Sequence, residues 1–379
     1  MTENFKKIKI LFLIHDLGQG GAEKVLVNLV NNMDRSKFDI SVTVLFGGGV
    51  NEQFLRPDIH FRAVWAKSVP GNSKLMKALS PEKLHRICVK DHYDIEVSYL
   101  EGPSARIISG CKDPKIKKIC WIHVEQKTAQ KAAESFRSVA EAADCYNRFD
   151  RIIAVSDTVR QDFTNILHIR RPVDVLYNTN ESAEILKLAE EPIEDGLLQE
   201  GEFHLVGVGK LVKTKGFDRL IRITKLLADE GYPVHLFILG KGPEKESLEK
   251  QAKEARIETK VTFLGYQTNP YKYVAKADLF VCASLAEGFS TAATEALIVG
   301  TPVCTVEVSG MKEMLGEKNE YGVVTENSEE ALYEGIKMLL DDPALLGHYA
   351  RQAKLRGRDF RTEETVKATE EMIGEVYKG

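Results

Sequence analysis

The chain has 379 residues, 43% of them hydrophobic and 28% charged, and a formal net charge of −4. That length exceeds what one hydrophobic core usually organises, and the composition is that of a folded protein rather than a disordered or fibrous one. The mildly acidic balance, without a basic run interleaved with aromatics, excludes a nucleic-acid binder.

In chain order, the first apolar run, Ile8–Ile14, reads as a strand and is far too short for a signal segment or a membrane span. Further strands are expected at 40–46, 95–99, 119–122 and 151–155, with helices at 22–32, 81–89 and 128–144. A second array follows, with strands at 205–208, 235–239, 261–263, Leu279–Cys282 and 302–305 and helices at 219–229 and 244–255. Strands alternating with helices imply two parallel α/β sheets covered on both faces. Between the arrays, the acidic stretch 181–202 has little apolar periodicity after Leu188 and reads as the interdomain connection. Charge is uneven: residues 1–180 hold 27 Lys and Arg against 21 Asp and Glu, and residues 181–379 hold 25 against 35. A basic half beside an acidic one suits an anionic neighbour for the first domain, a phospholipid surface or a lipid-pyrophosphate acceptor. The six cysteines form no C-x-x-C pair and read as reduced, buried thiols of a cytoplasmic protein.

The most informative segment is Ala286-Glu287-Gly288-Phe289-Ser290-Thr291-Ala292-Ala293-Thr294-Glu295, followed by Gly300-Thr301-Pro302. It leaves a buried strand and opens a helix, whose first amides lack internal partners and carry the positive end of the dipole, an anion site. Gly288 lets the backbone approach a ligand, and Ser290 and Thr291 are small enough to leave the amides uncovered. Flanking carboxylates would repel a bare phosphate but suit a ligand that also offers hydroxyls, as a nucleotide sugar does. Acidic residues merely favoured by the dipole are the plainer alternative. Upstream, Lys210 and Lys215 flank a strand-to-helix loop between Gly209 and Gly216, placed to meet a diphosphate leaving group. Lys213 lies between them, which leaves open which two lysines reach it.

Two acidic residues with seven between them, after a strand and before Gly-Thr-Pro, resemble the donor signature of retaining GT-B glycosyltransferases. Four other segments are similar, in order, to glycosyltransferase family 4 over nearly the whole chain. They are Ile14-His15-Asp16-Leu17-Gly18-Gln19-Gly20-Gly21-Ala22-Glu23, Gly209-Lys210-Leu211 with Lys215-Gly216-Phe217-Asp218, Leu239-Gly240-Lys241-Gly242-Pro243, and Phe263-Leu264-Gly265-Tyr266. The resemblance implies a GT-B fold, two Rossmann-like doubly wound domains facing a central cleft. Residues 1–180 would be the acceptor-side domain, joined by the helix 362–379 packing back on it, and residues 203–361 the donor-binding domain. It further implies retaining transfer of a sugar from a UDP- or GDP-type nucleotide to a hydroxyl of a glycan or lipid-linked acceptor in cell-surface polysaccharide synthesis. In that scheme Glu287 contacts the sugar, Glu295 the ribose, and Lys210 and Lys215 the diphosphate, although the family commonly has arginine at position 210. Phe289 belongs to the donor segment. His123, ending the apolar run 119–122, contacts the sugar from the first domain, and Asn178 is structural.

Gly18 to Glu23 also invites a dinucleotide reading. The third glycine of G-x-G-x-x-G falls on Glu23, whose carboxylate would oppose a pyrophosphate, and no acidic residue ends the expected second strand. Gly20 and Gly21 are therefore expected to approach the donor phosphates or the acceptor. No H-x-x-x-H, Cys-pair spacing or Asp-x-Asp triplet is present, so lysines and helix amides are expected in place of a metal, with no cofactor. A cytoplasmic enzyme, peripheral at the inner face of the membrane, fits these expectations. The alternatives are a GT-B sugar-nucleotide epimerase and a non-catalytic partner subunit.

Overall fold

The structure, a computed structural model, describes residues 6–18, 20–68, 76–193, 196, 198 and 200–379. It divides into two compact units, Met1–Asn180 with Thr362–Gly379, and Glu181–Arg361. Each is built on one parallel sheet. Among the described residues no helix is long and apolar enough to cross a membrane.

The first unit holds β1 (Ile8–Ile14), β2 (Phe38–Phe46), β3 (His60–Trp65), β4 (Ile95–Ser98), β5 (Lys117–Ile122), β6 (Arg151–Ala154) and β7 (Val173–Val175). Their spatial order is β3-β2-β1-β4-β5-β6-β7. Chain order runs outward to one side from β1 and to the other from β4, so the switch point lies between them. There the crossovers diverge and leave a crevice at the carboxyl ends of the strands. Residues 10–14 of β1 are at most 1% exposed, as a strand covered on both faces must be. The Thr362–Lys378 helix packs on the Gly21–Asn32 helix, where Glu370 accepts from the Asp34 amide at 2.6 Å and from Lys37 Nζ at 3.1 Å. One expectation differs. The single helix expected over 128–144 is two, Ala129–Ala132 and Val139–Tyr146. Thr128 and Ser138 each cap one, their hydroxyls accepting the Lys131 and Glu141 amides. The edge strands β3 and β7 carry no fully buried residue and so show no apolar run in the sequence.

The second unit holds β8 (Phe203–Val208), β9 (Val234–Leu239), β10 (Val261–Gly265), β11 (Leu279–Cys282), β12 (Val303–Val306) and β13 (Val323–Thr325), in the order β10-β9-β8-β11-β12-β13. Its switch point is between β8 and β11. The core is formed by β9 and β11 side chains with Leu220, Ile223 and Leu227 of the Phe217–Asp229 helix and Ile336 of the Glu329–Asp341 helix. The stretch expected as a bare connection folds from residue 182 onward: Ser182–Ala189 is a helix packed on the Tyr271–Lys276 and Thr291–Val299 helices. Its buried positions are Ser182 and Ile185, too few to register as periodicity in an acidic stretch.

Candidate active site

At the switch point of the second sheet, the loop after β8 meets the loop after β11. The Lys213–Lys215 turn ends at Gly216, whose φ of 65° is left-handed. A Cβ there would fall 2.1 Å from the Ala283 carbonyl oxygen, so glycine is required for the two loops to close. Arg219, on the helix that follows, donates from Nη1 to the same carbonyl at 3.2 Å and to Asn327 Oδ1 at 2.8 Å. The Leu285 amide donates to Thr214 O at 2.8 Å. These bonds fix Lys215 opposite Glu287. Lys215 Nζ lies 2.5 Å from Glu287 Oε1, and Ser284 Oγ donates to the same oxygen at 2.6 Å. The Glu287 side chain is 9% exposed and that of Lys215 28%, so the pair lines a recess rather than open surface. Cys282 and Ser290 line the same small cavity. Lys210 and Lys213 are exposed.

Helix Thr291–Val299 begins beside this pair. Ser290 is its N-cap, its Oγ accepting the Ala293 amide at 3.3 Å, and the Thr294 hydroxyl returns to the carbonyls of Ser290 and Thr291. The capping Ser290 thus occupies one of the first amides. Phe289 is turned away from the recess, its side chain buried and its ring 5.8 Å from that of Phe360, which leaves its backbone as the part able to meet a ligand. Glu295 is 8% exposed, and Tyr271 donates its hydroxyl to Glu295 Oε1 at 3.3 Å.

Other groups at this edge escaped the sequence. Ser284 and Tyr271, which hold the two glutamates, carry no motif. Ser309 has a buried hydroxyl without a partner among the described residues, and the adjacent Gly310 closes on Gly288 and Phe289. Tyr266 follows β10 directly, with 60% of its surface exposed and Lys241 Nζ 5.5 Å over its ring. The segment Phe263-Leu264-Gly265-Tyr266 was read as part of the family resemblance, but without a role for Tyr266 itself. The loop bearing Lys210 is held by the Leu211 amide bonding to Lys241 O and the Glu244 amide to Leu211 O.

The first unit has its own polar edge. His123, one residue past β5, is 7% exposed and packs its ring 5.0 Å from Tyr99. Burial lowers its pKa to about 4, so the ring is neutral, and Nε2 has no partner among the described residues. The His123 amide donates to Glu101 Oε2 at 2.9 Å. Burial raises the Glu101 carboxyl to about 7, with a smaller push from the Glu23 charge. After β1, Asp16 accepts from the Gly18 amide at 2.7 Å and pairs with His15. The Gly21–Asn32 helix starts here. Gly20 lies directly under the Glu23 carboxylate, whereas a Cβ on Gly21 would meet nothing within 4 Å. Of these two glycines, Gly21 is the one left clear for a ligand. Asn178 and Asn180 are buried at the end of the unit, where Thr362 Oγ1 donates to Asn180 O at 2.6 Å.

Comparison with known proteins divides along the same units. Residues 19–179 match the family model described as Glycosyltransferase Family 4, and residues 189–356 the model described as Glycosyl transferases group 1. Over 362 residues the chain is 28% identical to the N-acetylgalactosamine-N,N'-diacetylbacillosaminyl-diphospho-undecaprenol 4-alpha-N-acetylgalactosaminyltransferase of Campylobacter jejuni, spanning 93% of this chain and 95% of that protein. It is 23% identical over 332 residues to the lipopolysaccharide core biosynthesis glycosyltransferase LpsD of Rhizobium meliloti, spanning 88% of each. Among solved structures, Anabaena Alr3699/HepE in complex with UDP-glucose matches with a TM-score of 0.76 at 20% identity, over 97% of this chain and 100% of that one. Two glycosyltransferase family models in tandem, one on each sheet, place the chain in family 4 of the glycosyltransferases, and the likeness to HepE shows the GT-B fold.

Proposed function

We propose that the enzyme moves a sugar from a UDP- or GDP-type nucleotide to a hydroxyl of a glycan or lipid-linked acceptor, with retention at the anomeric carbon, in cell-surface polysaccharide assembly. The observation that carries this reading is the meeting of Lys215, Glu287 and the start of the Thr291–Val299 helix at the β8/β11 switch point. One cation, one carboxylate and a helix N-terminus suit a ligand that joins a diphosphate to hydroxyls.

In the reaction, the bond from the anomeric carbon to the diphosphate oxygen breaks. The acceptor oxygen bonds to that carbon on the same face and gives its proton to the departing phosphate oxygen. Lys215, Lys210 and the amides around Gly288 and Thr291 stabilise the charge that grows on the diphosphate, each well-placed donor being worth about 3–4 kcal/mol of barrier. Glu287 takes a sugar hydroxyl and Glu295 the ribose. Tyr266 offers an aromatic face to the base, and Ser309 an unused hydroxyl to the sugar. In the first unit, neutral His123 offers Nε2 to a hydroxyl, and Gly21 leaves backbone open. No divalent metal is needed on the diphosphate.

Residues 1–180 with helix 362–379 serve the acceptor, and 203–361 the donor. The Campylobacter relative is named for an undecaprenyl-diphosphate-linked substrate, which supports a lipid-linked acceptor here. The basic first half supports attachment at an anionic, cytoplasmic membrane face. Incubation with a panel of UDP- and GDP-sugars, followed by NMR, tests the proposal. Slow release of free sugar without acceptor and a retained anomer with one are expected. An epimerised nucleotide sugar or an inverted product overturns it.

A further inference from the structure

We propose that His85, Glu96 and Cys111 form a binding site for a zinc-type divalent cation, apart from the Lys215–Glu287 site. The three come from separate elements of the first unit: the Pro81–Cys88 helix, strand β4 and the turn that follows the Pro103–Ile108 helix. One ligand atom from each lies within 4.8 Å of the other two. Around a tetrahedral zinc with bonds of about 2.0–2.3 Å, ligand atoms stand roughly 3.3–3.8 Å apart. Side-chain movements of about an ångström would therefore seat the ion. His85 Nε2 is now 2.7 Å from Glu96 Oε2, a contact that opens slightly when the ion enters between them.

The chemistry of the set selects the cation. An imidazole, a thiol and a carboxylate together suit a borderline ion such as zinc, whereas magnesium and calcium take oxygen ligands almost alone. Burial adds to the argument. Glu96 is 1% exposed and Cys111 6%, and a buried carboxylate needs a compensating charge. The His85 imidazole supplies that for Glu96 and also lies against the Cys111 sulfur, so the three groups that would face the ion already face one another.

The backbone holds the ligands in place. A Cβ on Gly110 would fall 2.1 Å from the Pro81 carbonyl oxygen, so the turn bearing Cys111 is docked on the first residue of the helix bearing His85. The Gly110 and Cys111 amides bond back to Ile107 O and Ile108 O, which fixes the turn. His85 is the least covered of the three, with its side chain 15% exposed, and is the side from which an ion and a fourth ligand, a water, would enter. Glu96 is the second residue of β4, at the amino end of the strand, while His123 lies past the carboxyl end of β5. The ion would tie helix, strand and turn together without touching the reacting groups. Ligands spaced 11 and 15 residues apart form no motif, which is why the sequence gives no sign of them.

Titration of the full-length, metal-free protein with cobalt(II) tests this. One equivalent should bind with a thiolate-to-cobalt charge-transfer band that zinc abolishes. Cys111→Ser and His85→Gln, checked for folding by circular dichroism, should each weaken binding by at least roughly 100-fold, since even outer partners of metal ligands cost 10–100-fold. Zinc should also raise the thermal midpoint of the wild type and not of either variant. Absence of the band at equimolar cobalt, or a band unchanged in either folded variant, overturns the proposal.

Discussion

Lys215 and Glu287 hold each other at 2.5 Å across the β8/β11 switch point, and Ser284 secures the same carboxylate oxygen. The cation proposed for the diphosphate is therefore engaged by the carboxylate proposed for the sugar, and a donor that takes both would part or reorient the pair. Replacing Glu287 should then separate binding from chemistry. Glu287→Ala frees Lys215, so UDP affinity in calorimetry should hold or rise. Transfer should fall by roughly 10²–10³ through loss of a preorganised contact. A parallel fall in UDP affinity and rate would mean that Glu287 mainly holds the loop.

The three lysines of the β8 loop differ in setting. Lys215 is half-buried and paired, whereas Lys210 and Lys213 are exposed. Lys215→Ala should lose donor affinity and rate together, because charge sits on the diphosphate in both ground and transition states. Lys213→Ala should stay within about 1 kcal/mol of wild type, as an exposed single charge does. Lys210→Arg should be tolerated, since a guanidinium adds a second hydrogen bond to phosphate, while Lys210→Ala should weaken donor binding. Initial rates over a donor titration distinguish these outcomes, and an indispensable Lys213 would refute the assignment.

The central strands of both sheets were legible because burial on two faces leaves an unbroken apolar run: β1 and β11 fall where their runs begin and end. Edge strands β3, β7 and β13 were not, since each pairs on one side only and carries polar or half-exposed residues. At the site, sequence reading put Glu287 beside the helix start and Lys215 on a separate strand-to-helix loop, and the structure brings the two together. The motif could not reveal Lys215 as the partner of Glu287, because that contact depends on Gly216 closing against Ala283, 67 positions along the chain. Nor could it separate a side chain facing ligand from one facing the core, as with Phe289, because helix-start residues alternate direction with no periodic trace.

Glu295 and Tyr271 form the second contact worth testing. Tyr271→Phe removes the hydroxyl that donates to Glu295 Oε1 and should cost about 1 kcal/mol of stability, with donor affinity nearly kept. Glu295→Ala should weaken donor binding well beyond any effect of Tyr271→Phe, because a ribose contact goes with it. Equal donor affinities for the two variants would remove Glu295 from the ribose site.

If lysines and helix amides take the place of a cation on the diphosphate, transfer rates should be the same with magnesium, with manganese and with neither added. A strict requirement for either ion would contradict the role given to Lys210 and Lys215. Supply of the ion in the assay tests this point without disturbing an ion buried at His85, Glu96 and Cys111.

The first unit should show opposed pH dependences from two neighbouring groups. Burial raises the Glu101 carboxyl from 4.5 to about 7. The folded state then holds this proton more tightly than the unfolded state does. Its contribution to stability is full below about 4.5 and is lost as pH rises through about 7. His123 behaves in reverse. Burial lowers it from 6.5 to about 4, so the unfolded state takes up the proton first. Its contribution is present above about 6.5 and is lost as pH falls through about 4. Urea midpoints measured across this range should show Glu101→Gln, which can still accept the His123 amide, gaining on wild type between about pH 4.5 and 7 and levelling above. His123→Gln should instead flatten the decline on the acid side. A Glu101→Gln difference that stays constant from about pH 4.5 to 7 would show that the carboxyl titrates as an ordinary exposed one.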